Sequence, residues 1–178
     1  IYNMRMKLTL PDKSIRELPE GSSGYDLAKD IGSGLAKAAI ALSVDGKQQD
    51  LHDVIYKDCS VSVITIESQE GLEIMRHTLA AQVLARAIKN LYPDSKLAIG
   101  PTIDNGFYYD VECSETISFD DLEKIEKEMH KIVKSKSSIT KKLSSKSDAL
   151  NVFKSLGESY KQDIINDLIK AAYNNAKE

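Results

Sequence analysis

Apolar and polar residues alternate along Met6-Lys7-Leu8-Thr9-Leu10 and again along Ser14-Ile15-Arg16-Glu17-Leu18. With Pro11-Asp12-Lys13 as the turn between them, the two runs predict a β-hairpin, because successive side chains of a strand point to opposite faces. Gly21-Ser22-Ser23-Gly24 interrupts the alternation, and the period then lengthens. Apolar residues at Tyr25, Leu27, Ala28 and Ile31 predict a helix, capped by Ser22 or Ser23 and stopped at Gly32-Ser33-Gly34. Ala36 to Val44 reads as a short helical turn running into a buried strand. Asp45-Gly46 reads as a hairpin turn and Lys47 to Leu51 as the returning strand. Ser60 to Ile66 alternates once more and predicts a last, central strand. Two hairpins, one helix between them and a final strand predict a ubiquitin-like β-grasp.

The polar run Glu67-Ser68-Gln69-Glu70-Gly71 reads as a linker, which divides the chain into residues 1–67 and 68–178. Beyond it, apolar residues at Leu72, Met75, Leu79, Val83, Ala87 and Leu91 recur every three or four positions. They predict one long helix, ended by Tyr92-Pro93-Asp94. Lys96 to Pro101 and Phe107 to Val111 predict two strands around a tight Asp104-Asn105-Gly106 turn. Ser118 to Asp121 has the pattern of a capping box with acids in the first turn. The helix it starts carries Leu122, Ile125, Met129, Ile132 and Val133 on its apolar face. Ser135 to Ser147 is rich in Lys and Ser and reads as an exposed strand or a loop. Asp148 to Leu156 predicts a short helix stopped at Gly157, and Asp163 to Ala176 a last amphipathic one. The second part is a second α+β domain, and the chain as a whole is of the α+β class.

Composition refines this picture. The chain has 178 residues, of which 42% are hydrophobic, enough to bury a core. Trp is absent and aromatics make up 6%, so that core is aliphatic. A net charge of -3 argues against binding nucleic acid through bulk charge, which needs many cations to displace counterions. A local basic run remains between Lys131 and Lys146, where Lys134, Lys136, Lys141 and Lys142 form either an RNA-backbone contact or a solvated face. Cys59 and Cys113 stand alone and far apart, the spacing of neither a disulfide framework nor a zinc site, so no metal site is expected. No apolar run approaches the ~18 residues of a membrane span. Met4-Arg5-Met6-Lys7 leads straight into a strand pattern, so no signal peptide is expected. Gly32-Ser33-Gly34 is too short for a phosphate-binding loop and lacks its Gly-Lys-Ser/Thr ending, so ATP binding is not expected of this chain.

Several stretches carry a resemblance: Leu8-Thr9-Leu10-Pro11-Asp12, Gly34-Leu35-Ala36-Lys37-Ala38-Ala39, Gly71-Leu72-Glu73-Ile74-Met75-Arg76-His77, Ile99 to Asp110, and Gly157-Glu158-Ser159-Tyr160-Lys161. In this order they resemble the N-terminal region of bacterial-type threonyl-tRNA synthetases. The resemblance implies a TGS domain of β-grasp fold, followed by part of the editing domain of threonyl- and alanyl-tRNA synthetases, which hydrolyses mischarged seryl-tRNA. The implied editing site uses a His-x-x-x-His pair on the first helix, a later Cys-x-x-x-His, a tyrosine after the Asn-Gly turn and a lysine after Glu-Ser-Tyr. Two histidines four apart share a helix face and can position a water against an ester carbonyl. Here His77, Tyr109 and Lys161 match the pattern. Position 81 is Ala81 and the next is Gln82. Matching the helix from Ala87-Ile88-Lys89 backwards places one inserted residue, with Gln82 where the second histidine falls. In an unbroken α-helix Gln82 stands about 140° round from His77, at ~100° per residue, so the two share no face. The Cys-x-x-x-His pair has no counterpart. His52 and His130 read as surface residues.

The resemblance further implies that tRNA, above all tRNA(Thr), and the synthetase's catalytic core are the partners. ATP and zinc belong to that core, in a cytoplasmic enzyme that joins threonine to its tRNA. The alternative is a non-catalytic, RNA-associated homologue of this region, such as a mitochondrial ribosomal large-subunit protein. Either way, this chain alone is expected to be inactive.

Overall fold

The computed structural model describes residues 4–175. The chain divides into two compact units, Ile1–Met75 and Arg76–Glu178. The sequence-based boundary after residue 67 lies a few residues earlier, at the start of a helix that runs through the division.

In the first unit, β1 (Arg5–Thr9) and β2 (Ile15–Pro19) form the expected hairpin, with Met6 opposite Leu18 and Leu8 opposite Arg16. Lys13 takes a left-handed conformation (φ 67), and the Asp12 carboxylate accepts from the backbone and hydroxyl of Ser14 to hold the turn. Helix α1 (Gly24–Ile31) is capped by Ser23 in a capping box with Asp26. Gly32-Ser33-Gly34 does more than stop it. The Gly32 carbonyl accepts from the Ala36 amide, so a second short helix, α2 (Ser33–Ala38), begins where a break was expected. Strands β3 (Ala39–Val44), β4 (Lys47–Asp50) and β5 (Cys59–Thr65) complete a sheet of order β2-β1-β5-β3-β4. The last strand is central, parallel to β1 and antiparallel to β3. Leu8, Leu27 and Leu42 are fully buried between sheet and helix, with Met6, Leu18, Ile55 and Val61 around them. Gly24 lets α1 approach: a Cβ there would lie 2.9 Å from the Leu51 carbonyl oxygen. This is a β-grasp.

Helix α3 (Gln69–Thr78) starts inside the expected linker, because the Ser68 side chain accepts from the Gly71 amide and the Ser68 carbonyl from the Leu72 amide. It passes without a break in the chain's helical course into a π turn, Leu79–Leu84, and then α4 (Ala85–Leu91). The predicted stripe holds only beyond the π turn, where Ala87 is buried and Leu91 packs against the core. Leu72, Met75 and Leu79 are 40%, 38% and 38% exposed, while Ala80, Ala85, Ala87 and Ile88 are buried. One extra residue in the π turn shifts the register of the buried face.

The following hairpin is broken into two short ladders. Strand β6 (Lys96–Leu97) pairs with β9 (Val111–Glu112), and β7 (Thr102–Ile103) with β8 (Gly106–Phe107). Single backbone bonds at Ala98, Asp110 and Tyr108 bridge the gap, where Pro101 has no N–H to donate. Helix α5 (Phe119–Lys134) starts at the predicted Ser118–Asp121 capping box. Of its predicted face only Ile125 is buried; Leu122 and Val133 are exposed. Residues 137–145 take no regular structure, the loop alternative. Helices α6 (Lys146–Ser155) and α7 (Ser159–Asn175) follow, and the expected end of α7 at Ala176 lies outside the described residues. Among the described residues no helix is long and apolar enough to cross a membrane.

Candidate functional site

The stretch Gly157 to Lys161 docks the start of α7 onto the broken hairpin. Gly157 (φ 69) takes the left-handed conformation that ends α6 and turns the chain. The next residue, Glu158, is buried. Its carboxylate accepts from the Leu97 amide (3.1 Å) and pairs with the Lys89 ammonium (2.9 Å). Lys89 in turn donates to the carbonyls of Pro93 (3.1 Å) and Ser95 (2.6 Å), so the charge pair is enclosed in hydrogen bonds. Two residues on, the Tyr160 hydroxyl donates to Glu112, which also pairs with Lys96 at 3.0 Å. The hydrogen bond from Tyr160, then that from Lys96, holds the Glu112 carboxyl below its usual range, and the same carboxylate pushes the Tyr160 phenol up.

Lys161 is the chemical product of this docking. Its ammonium donates to the Ala98 carbonyl (2.9 Å) and reaches the Tyr109 hydroxyl at 3.4 Å, lying 5.8 Å from the ring centroid. The ring rests on Gly100, where a Cβ would come within 2.3 Å of Tyr109 Cδ2. Tyr109 is half-buried against the second unit's core, and its neighbour Tyr108, in the gap between β8 and β9, is exposed. The pair is a fixed cation beside a phenol, able to polarise an acyl oxygen.

Neither His77 nor Gln82 makes a hydrogen bond to this pair among the described residues. His77 is exposed at the end of α3. Among the described residues it makes no hydrogen bond or ion pair with Tyr109 or Lys161. Its neighbour Arg76 donates to the Asp104 carbonyl (2.7 Å), which ties the helix to the tip of the hairpin. Between His77 and Gln82 the helix enters the π turn, whose i→i+5 bonds absorb the inserted residue instead of expelling it as a loop. The unbroken α-helix assumed from the sequence is therefore corrected. Gln82 lines an open concavity of about 700 Å3 with Arg86, Asn90, Glu128, Lys131 and Lys136, which neither His77, Tyr109 nor Lys161 touches.

Lys134, Lys136, Lys141 and Lys142 are all exposed, the first at the end of α5 and the others in the loop beyond. Lys136 is left-handed (φ 51), an uncommon state for a residue with a side chain. Cys59 and Cys113 are half-buried free thiols, both pushed up by burial. His52 stacks on Tyr25 at 5.6 Å, and His130 is exposed beside Glu126. Among the described residues no group of His, Cys, Asp and Glu could hold a metal ion. Sequence reasoning missed Lys89, Glu158 and Arg76 as structural partners. Glu158 sits in a recognised stretch, but nothing local marks it as buried, because its partners lie on other elements.

Residues 6–65 match the family described as TGS domain, in agreement with the β-grasp of the first unit. A threonine–tRNA ligase of Hyphomonas neptunium is 48% identical over 164 residues, 92% of this chain and 25% of the relative. A threonine–tRNA ligase of Francisella philomiragia is 47% identical over 163 residues, 92% of this chain and 26% of the relative. A third, of Citrifermentans bemidjiense, is 45% identical over 163 residues, again 92% of this chain and 26% of the relative. The chain thus spans about a quarter of the length of the curated relatives it matches.

Proposed function

We propose that the chain is an accessory region of a cytoplasmic threonine–tRNA ligase, one that contacts tRNA(Thr) and carries a degenerate site for hydrolysing mischarged seryl-tRNA. The observation that carries this reading is identity near one half with threonine–tRNA ligases over nine tenths of the chain. The Lys161–Tyr109 pair supports the second part. In the reading, Lys161 and Tyr109 hold the acyl oxygen of the ester, and His77 is what remains of the group that positions the attacking water. Gln82 is neutral and cannot take up a proton, so only one of the two histidine positions keeps a basic group. The loop lysines Lys134, Lys136, Lys141 and Lys142 neutralise phosphates of the tRNA backbone. The ligation itself, with its ATP and zinc, falls to the catalytic core, the region's other partner.

A second reading, a non-catalytic RNA-associated homologue such as a mitochondrial ribosomal large-subunit protein, is favoured by the residues themselves: Gln82 stands where the second histidine would fall, and the Cys-x-x-x-His pair has no counterpart in the sequence. Both readings require RNA binding. An electrophoretic shift with a tRNA(Thr) transcript across a salt series tests it: binding that weakens steeply with salt is expected. Failure to bind at low salt contradicts both.

A further inference from the structure

The concavity beside the π turn is built from two helices and a loop, and its charges are unequal. Its one carboxylate among the residues that line it, Glu128, accepts from Asn90 Nδ2 (3.0 Å) and from Lys131 Nζ (3.1 Å). The bond from Asn90, then that from Lys131, holds Glu128 below the usual carboxylate range, so it stays charged and cancels Lys131. Two cations are left over. Arg86 on α4 and Lys136 in the loop just beyond α5 line the same concavity, and neither side chain makes a hydrogen bond or ion pair among the described residues. The left-handed backbone at Lys136 turns the chain at this rim. Gln82, in the π turn one helical turn before Arg86, brings an uncommitted amide to the same wall. A surplus of positive charge that includes a planar guanidinium, next to an amide able to donate and accept, suits a phosphodiester with its sugar.

We propose that this concavity is a subsite for one phosphodiester of an RNA strand, with Arg86 as its anchor, Lys136 at its rim and Gln82 on the adjoining ribose. The inference rests on the RNA-binding reading above. It adds to the loop lysines a site of defined geometry, separate from the Lys161–Tyr109 pair. Arg86 forks onto two phosphate oxygens; Lys136 adds charge.

The test compares binding of a tRNA(Thr) transcript by the wild-type chain and by Arg86→Gln, Arg86→Lys and Lys37→Gln, with circular dichroism confirming that each variant is folded. Lys37 is an exposed residue of α2, so Lys37→Gln controls for the loss of one charge. At about 50 mM salt, Arg86→Gln is expected to weaken binding roughly tenfold and to flatten the slope of affinity against salt by about one phosphate contact. Arg86→Lys recovers only part of this, since an ammonium cannot bond two oxygens in a fork. Lys37→Gln stays within about twofold. If the wild type binds and Arg86→Gln behaves like Lys37→Gln, the subsite is wrong and the RNA reading stands. If the wild type does not bind, both fall. If polyglutamate displaces the RNA as well as unlabelled RNA does, charge for charge, the site takes an acidic polypeptide and the proposal is overturned.

Discussion

The two units bury different things. The first encloses Leu8, Leu27 and Leu42 completely between a five-stranded sheet and a helix. The second centres on two alanines, Ala85 and Ala87, with Ile88, Leu97 and Ile125. It leaves Phe119 90% and Leu143 89% exposed. Each methylene removed from water contributes about 0.8 kcal/mol, so a core rich in alanine gains less per residue than one built on leucine. The second unit is held instead by long polar side chains that span elements: Glu158 to Leu97 and Lys89, Lys161 to Ala98, Tyr160 to Glu112, and Arg76 to Asp104. The groups that support the candidate site are therefore the same ones that hold its scaffold together.

This contrast predicts opposite responses to mutation. The largest effect is expected for Leu42→Ala, which opens a cavity in the first unit and costs roughly 3–4 kcal/mol. Denaturant unfolding followed by hydrogen exchange should show the loss in peptides of the first unit alone; an equal loss in the second would merge the two units energetically. Next comes Glu158→Ala. It removes the acceptor of the Leu97 amide and strands Lys89, whose side chain is 31% exposed and can partly rehydrate. A cost of about 2 kcal/mol is expected, confined to the second unit, with faster exchange at the Leu97 amide. Unchanged exchange there would mean that the polar tethers do not hold the unit.

The smallest effect sharpens the comparison at a single turn. Deleting Ala81 removes the extra residue, so the helix from Gln69 to Leu91 should close as a continuous α-helix, with stability changed by less than about 1 kcal/mol and slower exchange across Leu79–Leu84. Unfolding of the second unit would show that the π turn is a packing requirement and not an accommodated insertion.

The same contrast explains what could be read from the sequence. The β-grasp is legible because most of its elements carry their own signal: alternation in β1, β2 and β5, helical spacing in α1, an Asp-Gly turn before β4; the start of α2 at Ser33 carries none. The second unit was legible only in outline. Its capping box at Ser118 and Asp121 is local and was visible. The π turn is invisible to a period that assumes an α-helix throughout, and it misplaced the buried stripe from Leu79 to Ala80. Tyr109 and Lys161 were found by resemblance, and the structure brings them within 3.4 Å. His77 and Gln82 come by the same route, and neither makes a hydrogen bond to them among the described residues. What pattern could not supply is the tertiary pairing of Glu158 with Lys89, since the two lie on separate helical segments and meet only after folding.

On the proposed reading this region keeps the cation, the phenol and one histidine of a proofreading site and lacks the second histidine. The most direct measurement is hydrolysis of seryl-tRNA(Thr) by the chain itself. Release of serine at the uncatalysed rate is the predicted result. Release well above that rate, abolished by His77→Ala in a folded variant, would contradict the account.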